Sequence, residues 1–115
     1  MFIEFSFSCH CPSGVIVTAI GVFVATRWEL AAVCQAFAAS EMRVVGGIRC
    51  AVARQGQVEW WVIPMGVGPE RATATAGRVL GEQSFAAVWS TGFACALGQA
   101  VIGEVLIGTH VTMEG

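Results

Sequence analysis

An α/β layered fold is predicted for this 115-residue chain by three observations. A near-continuous β-branched run, Val15 to Ala25, is followed by Leu30, Val33, Cys34 and Phe37 at the i, i+3, i+4, i+7 spacing of a helix. A second strand-like run, Val58 to Pro64, leads through a glycine turn into another helical pattern. Between and after these lie short period-two stretches that read as further strands. Strands alternating with two helices imply a layered sheet with binding loops at the carboxyl ends of its strands. About 100–200 residues make one domain, and at this size folding removes roughly two-thirds of the unfolded chain's surface from water, so one sizeable core is expected.

Met1 to Ser8 alternates Phe2, Ile3, Phe5 and Phe7 with Glu4, Ser6 and Ser8, which reads as an edge strand, and Cys11 to Gly14 break it. Residues 1–14 are therefore set apart as an amino-terminal extension of a domain spanning 15–115. Val15 to Ala25 has the composition of a strand buried on both faces. Thr26 and Glu29 stand at capping-box spacing at the start of the helix that follows. Met42 to Val45, Ile48 to Arg54 and Val58 to Pro64 read as short strands, the last two joined in a hairpin by a Gln55-Gly56 turn. Trp60 and Trp61 point to opposite faces, so at least one is packing. In Met65-Gly66-Val67-Gly68-Pro69-Glu70 the glycines allow close backbone approach, and Pro69 suits the first helical position. Ala72, Ala76, Val79 and Leu80 line one face of that helix, and Gly81 is expected to close it in a left-handed conformation. Phe85 to Ser90 is a further strand, Thr91 to Gly98 a loop of small residues, and Val105 to Val111 a last strand containing a structural His110.

Hydrophobic side chains make up 56% of the chain and charged ones 12%. Six Arg against eight Glu give a net charge of −2, with no basic excess to hold a phosphate backbone, so nucleic acid is not expected as a partner. The sequence has no Lys, Asp, Asn or Tyr. That removes a phosphate-loop lysine, a lysine Schiff base and any aspartate metal site from this chain. The longest charge-free apolar run, Val15 to Ala25, is far short of the ~20 residues a membrane-spanning helix needs. Met1 to Ser13 carries only Glu4 and does not resemble an export signal. Five scattered cysteines suit reduced, mostly buried thiols and a cytoplasmic protein. Cys9-His10-Cys11 lacks a second cluster at zinc-site spacing, so no metal is expected.

Glu29 at the first strand-to-helix junction is either a cap or a working carboxylate. Gly66-Val67-Gly68 is either turn geometry or a set of amides offered to an anion at a helix start. Three segments, 22–29, 63–72 and 90–97, followed by 102–107, resemble the purine nucleoside phosphorylase and methylthioadenosine/adenosylhomocysteine nucleosidase superfamily in order and gaps. The Gly66-Val67-Gly68-Pro69-Glu70-Arg71-Ala72 form is most similar to the bacterial branch that includes hopanoid-associated phosphorylases. The resemblance covers about Val15 to Val111.

That resemblance implies the amino-terminal half of a three-layer phosphorylase/hydrolase-like fold with a central mixed sheet. It also implies cleavage of the N-glycosidic bond of a purine nucleoside by water or phosphate, with no cofactor beyond phosphate as a possible co-substrate. Glu29 matches the glutamate that polarises the nucleophile. Ala25 and Thr26 match residues lining the sugar pocket. Val67 matches an apolar residue, contributed to a neighbouring subunit, that covers the 5′ substituent of the sugar, implying a homodimer or higher homo-oligomer. Phe93, Ala94 and Cys95 match the loop beside base and nucleophile. The chain departs from the pattern at Phe93, where the nucleosidases have a serine, and at Cys95 and Ala96, where small glycines are usual. Family members are longer, and their later half supplies the acidic residues that grip the ribose and protonate the base. The alternative expectation is a non-catalytic remnant or interaction module that self-associates through an exposed apolar sheet edge.

Overall fold

The computed structural model describes residues 2–8, 17–95, 97–110 and 112. The Cys9-His10-Cys11 segment, the Cys11–Gly14 break, the first two residues of the Val15 run, Ala96 and Val111 lie outside them. The described chain runs β1 (Phe2–Ser8), β2 (Thr18–Val24), α1 (Arg27–Phe37), β3 (Glu41–Val45), β4 (Ile48–Gln55), β5 (Val58–Pro64), α2 (Pro69–Glu82), β6 (Ala87–Phe93) and β7 (Val105–Gly108). The strands form one mixed sheet in the order β3-β4-β5-β2-β6-β1-β7. Its centre is parallel, with β2 between β5 and β6. On one side β3, β4 and β5 form an antiparallel meander. On the other, β1 pairs antiparallel with β6 and parallel with β7.

Alternation along the central strands separates two cores. Phe23, Cys50, Val52, Trp61 and Ile63 face α2 and pack with Val79 and Phe85. Val22, Val24, Ala51 and Val62 face the other way and pack with Val33 of α1. The molecule is thus a three-layer α/β/α arrangement, as the sequence predicts. Trp60 and Trp61 do point to opposite faces, and both pack. Trp60 stacks on Phe37 at 4.7 Å and meets the edge of Trp89, while Trp61 meets Phe85 edge-on at 5.8 Å.

Both helices start as their sequences dictate. Thr26 is the N-cap of α1 with the full capping box to Glu29. Pro69 is the first residue of α2, after Gly68 at φ +100°. Six details differ from the sequence reading. β1 is an interior strand, because β6 and β7 both reach it across long loops that local pattern does not reveal. The β4–β5 turn is Gly56-Gln57, with positive φ at Gly56 and Gln55 still in the ladder. Gly81 is helical; α2 ends at Glu82 with an extended Gln83 cap, so no left-handed residue is needed. Thr75 takes the buried place assigned to Leu80, which is exposed, because the contact stripe runs 72–75–76–79. β6 continues through Phe93, so Thr91-Gly92-Phe93 is strand. His110 lies beyond β7, exposed, with Thr109 Oγ1 2.9 Å from its Nδ1.

Candidate functional site

The carboxyl ends of the three parallel strands lie side by side, at Val24, Pro64 and Phe93. In passing from β2 to β5 the chain moves one way along the sheet, and from β5 to β6 it crosses back over β2. A crevice opens beyond strand ends at such a reversal. Here it is a hollow of about 220 Å³ lined by Ala25 after β2, Met65 after β5, and Ser90 to Ala94 at the end of β6. The Met65 N–H donates to the Val24 carbonyl at 2.8 Å and holds two of these ends together.

Glu29 ties the third end to them. It is buried, at 7% exposure. Its Oε1 accepts from the N–H and the hydroxyl of Thr26, both at 2.9 Å, while Thr26 Oγ1 accepts from the Glu29 N–H at 3.2 Å. Its Oε2 accepts from the Phe93 N–H at 2.8 Å. One carboxylate therefore caps α1 and clamps the end of β6, 64 residues away in sequence. The amino-terminal end of α1 favours its negative charge. An ionised carboxylate offers about four acceptor directions, so three donors leave roughly one for a water or a ligand hydroxyl. Gly92 makes the approach possible, since a Cβ there would overlap Glu29 Oε2.

The other residues singled out by sequence fall as follows. Ala25, Phe93 and Ala94 line the hollow; Thr26 stands behind it as the cap; Glu29 lies against its Gly92–Phe93 wall. Cys95 is exposed just past β6. The glycine bend contributes Met65 to this hollow, whereas Gly66 lines an adjoining one with Met65, Arg71, Thr75 and Arg78. Val67, at 67% exposure, points into solvent at the rim, and Gly68 serves as the backbone N-cap of α2. Sequence reasoning missed Met65, shared by both hollows, and Thr91. The Thr91 hydroxyl is buried without a hydrogen-bond partner among the described residues, and Thr91 lines both the crevice and an apolar hollow of about 280 Å³ under α1. A threonine inside a small-residue segment carries no periodic signal.

Of the described cysteines, Cys50 is buried, Cys34 half-buried and Cys95 exposed, and all three are free thiols. The expectation of mostly buried thiols thus fails at Cys95, which sits past the last central strand end. Burial pushes the Cys50 thiol up to about 11 and raises Cys34 as well. Among the described residues no cluster of His, Cys, Asp or Glu could hold a metal ion, and no helix is long and apolar enough to cross a membrane.

No family model and no curated protein sequence matches the chain. Solved structures similar to it include the native futalosine hydrolase of Helicobacter pylori strain 26695 and a mutant of that enzyme. Each has a TM-score of 0.48 and 23% identity over 60% of this chain and 32% of theirs. Another is the 5′-methylthioadenosine/S-adenosylhomocysteine nucleosidase of Helicobacter pylori with butyl-thio-DADMe-Immucillin-A, at a TM-score of 0.47 and 20% identity over the same shares. The chain spans about a third of the length of these structures.

Proposed function

We propose that this chain carries the nucleophile side of a site that cleaves the N-glycosidic bond of a purine nucleoside. The observation that supports it is the Glu29 carboxylate, clamped at the wall of a crevice where three parallel strands end. The sugar of such a substrate gains positive charge in the transition state, and a fixed carboxylate beside it stabilises that charge more than the ground state. Glu29 also orients the attacking water through its remaining acceptor direction. Water is the nucleophile in this reading rather than phosphate. No cationic side chain among the described residues lines the hollow, and a phosphate dianion next to Glu29 would be repelled. Ala25 and Thr26 border the sugar, while Phe93, Ala94 and Cys95 border the base. Gly66 and Gly68 shape the bend that carries Val67, which covers the sugar bound by a second copy in a homodimer. The reading places the enzyme in the cytoplasm, needs no cofactor, and assigns the proton for the departing base to a group outside these 115 residues, which include no aspartate.

A leaving group that needs no proton isolates the nucleophile side. Purified chain incubated with 4-nitrophenyl riboside is expected to release nitrophenolate with or without phosphate. Methylthioadenosine, inosine and adenosine should react more slowly. Glu29→Gln should lower the rate about a hundredfold while circular dichroism shows the fold intact. A folded chain that releases nothing from any of these substrates overturns the proposal. The second reading, a self-associating module, is favoured by one observation, the exposed apolar β7 edge.

A further inference from the structure

α2 turns a second set of polar groups toward the adjoining hollow, which the nucleoside reading leaves unused. Arg71, Thr75 and Arg78 recur at i, i+4 and i+7, so they share one side of the helix. With Met65 and Gly66 they line a space of about 350 Å³. Thr75 is 8% exposed as a residue and borders this hollow, where its hydroxyl makes no side-chain hydrogen bond among the described residues. A hydroxyl left open at the wall of a hollow is available to a ligand or water as donor and acceptor.

The two arginines are also uncommitted. Arg43 and Arg54 are held by Glu41 and Glu59, and Arg27 lies over the Trp28 ring. Arg71 and Arg78 make no ion pair among the described residues. Glu82, one turn beyond Arg78, accepts from the Gly46 N–H at 2.7 Å instead, and Glu70 beside Arg71 is exposed. Both arginine stems are seated against glycines. A Cβ on Gly66, at φ +78°, would meet Arg71 Cδ at 3.0 Å, and one on Gly46, at φ +57°, would meet Arg78 Cβ and its carbonyl oxygen at 2.8 Å. These contacts fix where each guanidinium starts.

We infer that this hollow binds the phosphate group of a small phosphorylated molecule. Two arginines and a threonine, whose side chains can all donate, line the space, no carboxylate among the described residues does, and a phosphate accepts from every one of them. The volume exceeds that of a bare ion and falls within the usual range for small organic ligands, about 300–1,000 Å³. The site lies on the far side of Met65 from the Glu29 crevice and stands whether or not the nucleoside reading holds.

Titration calorimetry on the purified chain tests it, with ribose 5-phosphate, inorganic phosphate and ribose as probes. Ribose 5-phosphate should bind saturably and tighter than inorganic phosphate, and ribose should not bind. Arg71→Gln and Arg78→Gln should each weaken binding about tenfold. Thr75→Val should weaken it about fivefold, with Thr75→Ser restoring it. Arg49→Gln removes an exposed charge elsewhere on the sheet that makes no ion pair among the described residues, and it should change nothing. Equal loss in Arg49→Gln would reduce the effect to overall charge and overturn the site, as would the absence of saturable heat at millimolar ribose 5-phosphate. Inorganic phosphate binding as tightly as ribose 5-phosphate would overturn the assignment to an organic phosphate.

Discussion

Gly92 is a glycine for a local reason: the Glu29 carboxylate occupies the space where a side chain would go. Its φ lies outside the left-handed region, so the constraint is contact and not backbone conformation. Gly92→Ala should therefore displace Glu29 from the Phe93 N–H. The loss is about 1.5–3 kcal/mol, the range for a hydrogen bond to a charged group. In a Glu29→Ala background the same substitution should cost much less, and a double-mutant cycle by urea denaturation checks this. Additive costs would show that Gly92 is needed for something else. The Glu29 position at the first strand-to-helix junction was readable from sequence, because a capping box is a local signal. Its bond to Phe93 was not, since the partners are 64 residues apart and the donor is a backbone amide. The thiols give a second test at this scale. Burial keeps Cys50 protonated up to about 11, against 9.0 for the free group. The unfolded chain ionises first, so the contribution of Cys50 to stability is complete below pH 9 and is lost as pH rises toward 11. Of the three described cysteines, iodoacetamide at pH 8 should label exposed Cys95 fastest and half-buried Cys34 more slowly, reaching Cys50 only on unfolding. Early labelling of Cys50 would contradict its burial.

Each helix reflects a different balance of local and tertiary forces. α1 ends at Ala38 in the left-handed conformation, at φ 54° and ψ 47°, with the Ala39 N–H returning to the Cys34 carbonyl at 2.9 Å. A Cβ in this region costs about 1–2 kcal/mol, which glycine avoids at some expense in unfolded-state entropy. Ala38→Gly should thus stabilise the protein by about 0.5–1 kcal/mol, seen as a rise of a few degrees in Tm by calorimetry. A fall in Tm would mean that the Ala38 methyl contributes packing that outweighs the strain. The same residue shows why a glycine rule failed on α2. Gly81 looks like a terminator, but the Gln83 N–H can close onto the Val79 carbonyl from an extended cap, so the helix runs past it. β2, α1, β5 and α2 were legible because each buries one stripe or both faces, and burial imprints a period on the sequence. The extension of β6 through Gly92 and Phe93 was not, because the pairing of Gly92 with Ile3 and Phe93 with Phe2 of β1 overrides a sequence of turn-forming composition.

At the scale of the whole molecule the two sheet edges are unlike, and only one of them offers a template for another chain. The β3 edge carries charge. Glu41 and Arg43 belong to an ion-pair network with Arg54 and Glu59, and Arg43 also lies over Trp61 at 5.1 Å. Charged side chains of this kind discourage strand addition. The β7 edge has neither charge nor proline along Val105–Gly108, and its outer side has no strand partner among the described residues. Val105, Leu106 and Ile107 are exposed, as are Val101 and Ile102 just before them. An exposed apolar edge of this kind is a template for another chain. The expected outcome is concentration-dependent self-association, measured by sizing with light scattering. Ile107→Lys should shift the chain toward monomer, while Val44→Lys on the β3 edge should not. Both positions are exposed, so neither change should move stability by more than about 0.5 kcal/mol. A chain that is monomeric at every concentration, or that responds equally at both edges, would remove the argument for β7. If Ile107→Lys gives a soluble monomer that still releases nitrophenolate with Glu29 intact, association and chemistry are separable. A monomer that loses turnover would instead tie the crevice to the assembly, as a site partly built by Val67 of a second copy requires.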